Sequence, residues 1–143
     1  IISGGLAQIP YTSRLYEEIM GVMKGFENGV TQKDCFADIH NRYDEYSGHG
    51  WCHTISNAMI VAASLLYGKG DYGKSICLAN ETGFDTDCNG ATVGSIVGAI
   101  AGYKNFGGTL AAQLNDRVRP DVFGFRDTSM RELAERTLKV WQS

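Results

Sequence analysis

The chain has 143 residues, 43% of them hydrophobic; this is the size of one ordinary domain with enough apolar side chains for a core, and it excludes a disordered chain. With 13 basic against 16 acidic residues the net charge is −3, so no basic surface for nucleic acid or an anionic membrane is expected. The four cysteines, at 35, 52, 77 and 88, form no Cys-x-x-Cys pair, and the first residues lack the basic start and long apolar run of a signal peptide. A cytoplasmic protein with free thiols is the expectation.

Ile1, Ile2, Leu6 and Ile9 have the spacing of a helical face with no capping residue ahead of them, as in a chain that begins inside a helix and is a piece of something longer. After Pro10, Thr12 or Ser13 can cap a helix from Arg14 to about Asn28, with Leu15, Ile19, Val22, Met23 and Phe26 on one face. Thr31 and Asp34 resemble a capping box and open a helix to about Tyr43, with Cys35, Phe36 and Ile39 inward. Residues 44–53 form a polar loop rich in glycine, histidine and tryptophan. A helix apolar almost all round, from about Ile55 to Tyr67, reads as central and buried, with Gly68 as its cap. Asp71 caps the next helix, to Glu81, with Ile76, Leu78 and Ala79 inward and Cys77 read as core. A further helix runs from about Asn89 to Tyr103. Beyond it, Gly107-Gly108 and Arg119-Pro120-Asp121 read as turns around a short helix at Leu110 to Leu114. Ser129 with Glu132 opens a last helix to Trp141, its inward face Leu133, Ala134, Leu138 and Trp141. No period-2 run stands out. The expected fold is all-α, a bundle of six or seven helices in a single unit spanning 1–143.

Asp85-Thr86-Asp87 is the strongest chemical signal. Carboxylates at i and i+2 point the same way on an extended backbone ahead of a helix, and two hard oxygen donors suit Mg²⁺. The spacing alone leaves a second reading open, in which Asp87 caps the helix and Asp85 is a solvated turn residue. The helix that follows carries Gly90, Gly94, Gly98 and Gly102 at four-residue intervals, with Ala91, Ser95 and Ala99 beside them. Interior glycine costs about 1 kcal/mol relative to alanine, so the stripe points to close approach of another helix, which would hold the Asp85–Asp87 turn rigid. A zinc arrangement from Cys35, His40, His49, Cys52 and His53 has the right atom types, but its spacing matches no compact finger.

The stretch Gly83-Phe84-Asp85-Thr86-Asp87-Cys88-Asn89-Gly90-Ala91-Thr92-Val93-Gly94-Ser95-Ile96-Val97-Gly98-Ala99 resembles the C-terminal metal motif of the ADP-ribosylglycohydrolase family, which includes the hydrolase acting on dinitrogenase reductase and the J-type lens crystallins. Leu6-Ala7-Gln8-Ile9-Pro10, His53-Thr54-Ile55, Asn57-Ala58 and Leu65-Leu66-Tyr67-Gly68 fit in family order. The resemblance implies an all-α protein of about twice this length that holds two Mg²⁺ ions and hydrolyses the bond joining ADP-ribose to a protein side chain. It implies that Asp85 and Asp87 are metal ligands, and that Cys88 stands where many members have a hydroxyl ligand. A thiol is a poor Mg²⁺ donor, so Cys88 leaves that place to water or shifts the metal preference. The loop carrying His49, Trp51 and His53 would lie near the nucleotide, with Trp51 stacking on a base, a histidine on phosphate or ribose, and Asn57 donating to substrate or loop. The alternative places Trp51 as a packing anchor and His53 as a helix cap. The family's Thr/Ser-Asp-Asp motif is not found in these residues. This implies the C-terminal part of such a hydrolase, with the catalytic acid in the other half and at most one weakly bound Mg²⁺. The chain alone is then expected to be inactive, and to self-associate through apolar surface that the other half covers. The other readings are a crystallin-like structural protein and a stand-alone nucleotide-binding module.

Overall fold

A computed structural model describes residues 1–102, 105 and 112–143. The chain divides into two compact units, Ile1–Asn105 and Phe106–Ser143. Among the described residues there are seven helices and one two-stranded sheet, so the all-α expectation holds. None of these helices is long and apolar enough to cross a membrane.

In the first unit the helix starts are set by side-chain caps. Helix α1 is Ile2–Leu6. Helix α2, Arg14–Glu27, starts where the Ser13 hydroxyl accepts from the Tyr16 backbone N–H, and it buries Ile19 and Val22. Helix α3, Gln32–Arg42, starts where Thr31 accepts from the Asp34 N–H, and it buries Cys35, Phe36 and Ile39 as its pattern predicts. Helix α4, Thr54–Gly68, is the centre of the unit, packing against α2, α3, α5 (Tyr72–Glu81) and α6 (Thr86–Ala101). One of its sides joins the larger apolar cluster around Ile39, Met59 and Ile60, all fully buried. Its other side, through Val61 and Leu65, closes a smaller cluster around Ala79, Val93 and Val97. This two-sided burial is why its sequence shows almost no polar face.

Three local expectations are revised. Gly68 is the last residue of α4 rather than its cap; Lys69, in the left-handed region at φ 53°, caps the helix. A methyl group on Gly68 would stand 2.0 Å from the Ser75 hydroxyl oxygen, so the glycine is there to let α5 approach. Cys77 is exposed rather than in the core. Helix α6 begins at Thr86, three residues earlier than its apolar pattern suggests.

In the second unit β1 (Arg117–Val118) pairs antiparallel with β2 (Thr128–Ser129), Arg117 opposite Ser129. Helix α7, Met130–Gln142, follows, capped by Ser129 as predicted. Its expected inward face is not buried: Leu133 is half-buried, and Ala134, Leu138 and Trp141 are exposed. On the same helix the Arg136 guanidinium lies 5.0 Å from the centre of the Phe125 ring. The expected turn at Gly107-Gly108, the helix end at Tyr103 and the start of the helix at Leu110 lie outside the described residues.

Candidate metal centre

The turn between α5 and α6 is held by residues distant in sequence. Gly83 takes φ 83°, a conformation open to glycine, and a methyl group there would meet the Glu45 carboxylate at 2.9 Å. Phe84 follows at φ 58°, uncommon for a bulky residue. Three contacts hold it there: its buried ring, the Glu45 carboxylate accepting from its N–H at 2.7 Å, and the His40 ring 4.8 Å away. The His40 Nε2 also lies 2.8 Å from the Thr82 carbonyl oxygen, and the imidazole donates there. The next residue, Asp85, is thereby placed at the N-cap of α6.

Asp85 is the N-cap by position, but its side chain makes no capping hydrogen bond. It is 6% exposed and turns instead toward two thiols; the Cys52 thiol donates to Oδ2 at 3.6 Å. Its other oxygen, Oδ1, is buried without a hydrogen-bond partner. Asp87 and Cys88 occupy the first turn of α6 and are exposed. One ligand atom from each of Asp85, Asp87 and Cys88 lies within 4.8 Å of the others, the sole such group among the described residues. The carboxylates therefore meet across a helical first turn, and not on extended backbone as their spacing suggests.

The electrostatics follow from this crowding. The Cys88 thiol, and after it the Cys52 thiol, hold the Asp85 carboxyl below the ordinary carboxylate range against the opposing effect of desolvation. In return Asp85 pushes the Cys88 thiol up, while desolvation and Asp85 push up Cys52. The positive end of α6 amounts to about half a charge, which does not neutralise two carboxylates. A cation would do so and would also satisfy the orphaned Oδ1, whose burial without a partner is otherwise costly. The residues present thus fit a divalent ion, with two hard donors and one soft one.

The loop residues are arranged differently. Asn57, in the first turn of α4, bridges the loop to α6: its amide donates to the Trp51 carbonyl at 3.3 Å, and its oxygen accepts from the buried Asn89 at 3.1 Å. His53 is the N-cap of α4 without a side-chain capping bond, and its Nδ1 is buried without a partner. His49, His53 and Tyr43 stack around one another, with ring centroids 5.1 to 5.3 Å apart. Trp51 is 56% exposed, so it is not a core anchor. Cys35 and His40 are engaged elsewhere, in the core and on Thr82, so no zinc finger forms from the five residues whose atom types suggest one. Sequence reading missed Glu45, His40 and Asn89 as supports of the site. Asn89 is inside the quoted motif, but nothing next to Glu45 or His40 in the chain signals their partners.

No curated protein matches the chain, and no solved structure does. The ADP-ribosylglycohydrolase family model matches residues 1–143. On that full-length match, joined to the motif that builds the cluster, the chain belongs to the ADP-ribosylglycohydrolase family.

Proposed function

We propose that this chain is the C-terminal, Asp-Thr-Asp-bearing part of a Mg²⁺-dependent hydrolase that removes ADP-ribose from modified proteins. The observation that carries the reading is the buried, unpartnered Asp85 Oδ1 beside Asp87, in a chain of this family. Asp85 and Asp87 hold the cation, with Cys88 at the edge of the site. A divalent ion so placed supplies Lewis-acid polarisation and charge neutralisation at the ribose. Asn57 and Asn89 fix the loop against α6, leaving the exposed Trp51 indole to stack on the base and His49 or His53 to meet phosphate or ribose. Reduced thiols flanking the carboxylates suit a cytoplasmic setting.

The same reading makes the isolated chain inactive. Two carboxylates supply too few donors to hold a pair of six-coordinate ions, and no Thr/Ser-Asp-Asp sequence occurs in the 143 residues to supply the rest or the catalytic acid. The exposed apolar side chains of α7 support self-association with a second copy. The test is release of ADP-ribose from a modified arginine or serine peptide with Mg²⁺ present. The chain alone gives none. Mixed with a family segment bearing the Ser/Thr-Asp-Asp motif, it gives turnover that Asp85→Asn abolishes. Turnover by the chain alone, or turnover of the mixture indifferent to Asp85→Asn, contradicts the reading.

A further inference from the structure

We infer that Asn57 and Asn89 are positioning residues that tie the place of Trp51 to the cation: a divalent ion held by Asp85 and Asp87 acts on the indole through these two side-chain amides. This rests on the reading that the carboxylate turn holds a cation, and it makes the stacking site depend on an ion that the stacked base does not touch.

The path is a series of hydrogen bonds. Asn89 follows the carboxylate cluster in the first turn of α6, and its N–H donates to the Asp85 carbonyl at 2.9 Å. Its side chain is 3% exposed and donates to Asn57 Oδ1 at 3.1 Å. Asn57, half-buried in the first turn of α4, donates in turn to the Trp51 carbonyl at 3.3 Å. Trp51 is itself 56% exposed, so its indole is placed through its backbone. Residues 44–50 are bonded to one another: the Asp44 carboxylate accepts from the Tyr46 N–H and the Ser47 hydroxyl, and the Gly50 N–H donates to the Ser47 carbonyl. The loop is thereby a stiff piece, and its end at Trp51 is steered from α4 and α6.

The residue types suit this link. A carboxamide is both donor and acceptor, so each side chain passes a displacement on; an aspartate at position 57 would only accept, and an alanine would do neither. Bonds in series in a water-poor place also strengthen one another. Without an ion the carboxylates of Asp85 and Asp87 repel, and a cation draws them together, tightening the turn that carries Asn89. The other link from the loop to this turn is the weaker one, the Cys52 thiol donating to Asp85 Oδ2 at 3.6 Å, on the carboxylate that the ion takes. By linkage, an ion that places the indole raises the affinity for a base, and a stacked base raises the affinity for the ion by the same factor.

The experiment follows Trp51 fluorescence as Mg²⁺ is added to the full chain carrying Trp141→Phe, which leaves a single indole. Calorimetry measures ion binding in parallel. The expected result is a saturable change in emission that tracks the heat of binding. Asn57→Ala and Asn89→Ala still bind Mg²⁺, no more than about tenfold more weakly, and lose the emission change. Circular dichroism checks that each variant is folded. Asn57→Asp keeps an acceptor for Asn89 and removes the donor to the Trp51 carbonyl, so it serves where an alanine variant does not fold, and it loses the emission change too. Ion binding by the parent with no change at Trp51 overturns the inference and leaves the Mg²⁺ reading standing. An emission change that survives in the folded variants overturns it as well, since the ion then acts on the indole by another route. So does loss of ion binding itself in the folded variants, which makes the two amides supports of the turn and nothing more. No ion binding by the parent contradicts the Mg²⁺ reading, and the inference with it.

Discussion

Glu45 shapes the carboxylate turn from 39 residues away, by accepting the Phe84 N–H and filling the space beside Gly83. It ranks as a positioning residue, since it reaches the backbone of the turn and not the ligand atoms. Glu45→Ala is expected to weaken cation binding about tenfold, the usual scale for losing a group that orients a ligand. Calorimetric titration checks this, and an affinity equal to the parent's would remove Glu45 from the account. Asp85, Asp87 and Cys88 were legible in the sequence because they are contiguous and their residue types carry the chemistry. Cys52, Asn89, Glu45 and His40 were not legible as a set. Their partners are set by tertiary packing, and a hydrogen bond such as that from the Cys52 thiol to Asp85 leaves no local pattern. Trp51 was legible as a candidate, but only the structure separates an exposed indole from a buried anchor.

At the scale of elements, the caps at Thr31, Asp71 and Ser129 are legible, and Ser13 is one of the two residues the sequence offers ahead of α2, because each is a short-range hydrogen bond written into four residues. The start of α6 was misplaced, because its apolar residues begin later than its backbone does. The glycine stripe was half understood. Gly90, Gly94 and Gly98 do face α5, at Asn80, Ile76 and Tyr72, whereas Gly102 ends the helix at φ 73°. Ala91, Ser95 and Ala99 are exposed and pack on nothing comparable. Close approach predicts opposite signs at two glycines. A methyl group on Gly68 would meet Ser75 side-chain and backbone atoms at 2.0 to 3.0 Å, which no rotamer change relieves. Gly68→Ala should therefore destabilise by about 1–3 kcal/mol, the range for overpacking. On Gly98 it would make an ordinary contact with the Tyr72 ring at 3.6 Å, so Gly98→Ala should stabilise by up to about 1 kcal/mol. Denaturant unfolding of both variants decides, and equal effects would contradict the packing. In the second unit, the Ser129 hydroxyl and then the Arg131 N–H hold the Asp116 carboxyl below the ordinary range. A lowered folded value means that this stabilisation is complete above the unfolded value of about 4, and is lost as pH falls through the lowered one. Asp116→Asn keeps a residue tolerant of φ 55°, so it should be less stable than the parent at neutral pH, with the gap closing in acid. A gap independent of pH would show that the carboxylate charge contributes nothing.

At the scale of the molecule, the helical class was legible because periodicity and caps agreed along most of the chain, while the fate of the α7 face was not. An amphipathic pattern says that a face needs covering and not what covers it. Leu138, Val140 and Trp141 are 50%, 76% and 80% exposed, and Phe123 is fully exposed. Sedimentation should show concentration-dependent self-association that Leu138→Glu/Trp141→Glu reverses; a monomer at all concentrations, binding no hydrophobic dye, would contradict it. The central claim is that the Asp85–Asp87 turn, as folded here, is a cation site belonging to a hydrolase. Its most direct test is calorimetric titration of the chain with excess Mg²⁺, with and without ADP-ribose, against the Asp85→Asn/Asp87→Asn variant. The account predicts weak binding by the parent chain and none by the folded variant. No binding by the parent, or binding that survives the loss of both carboxylates, would contradict it.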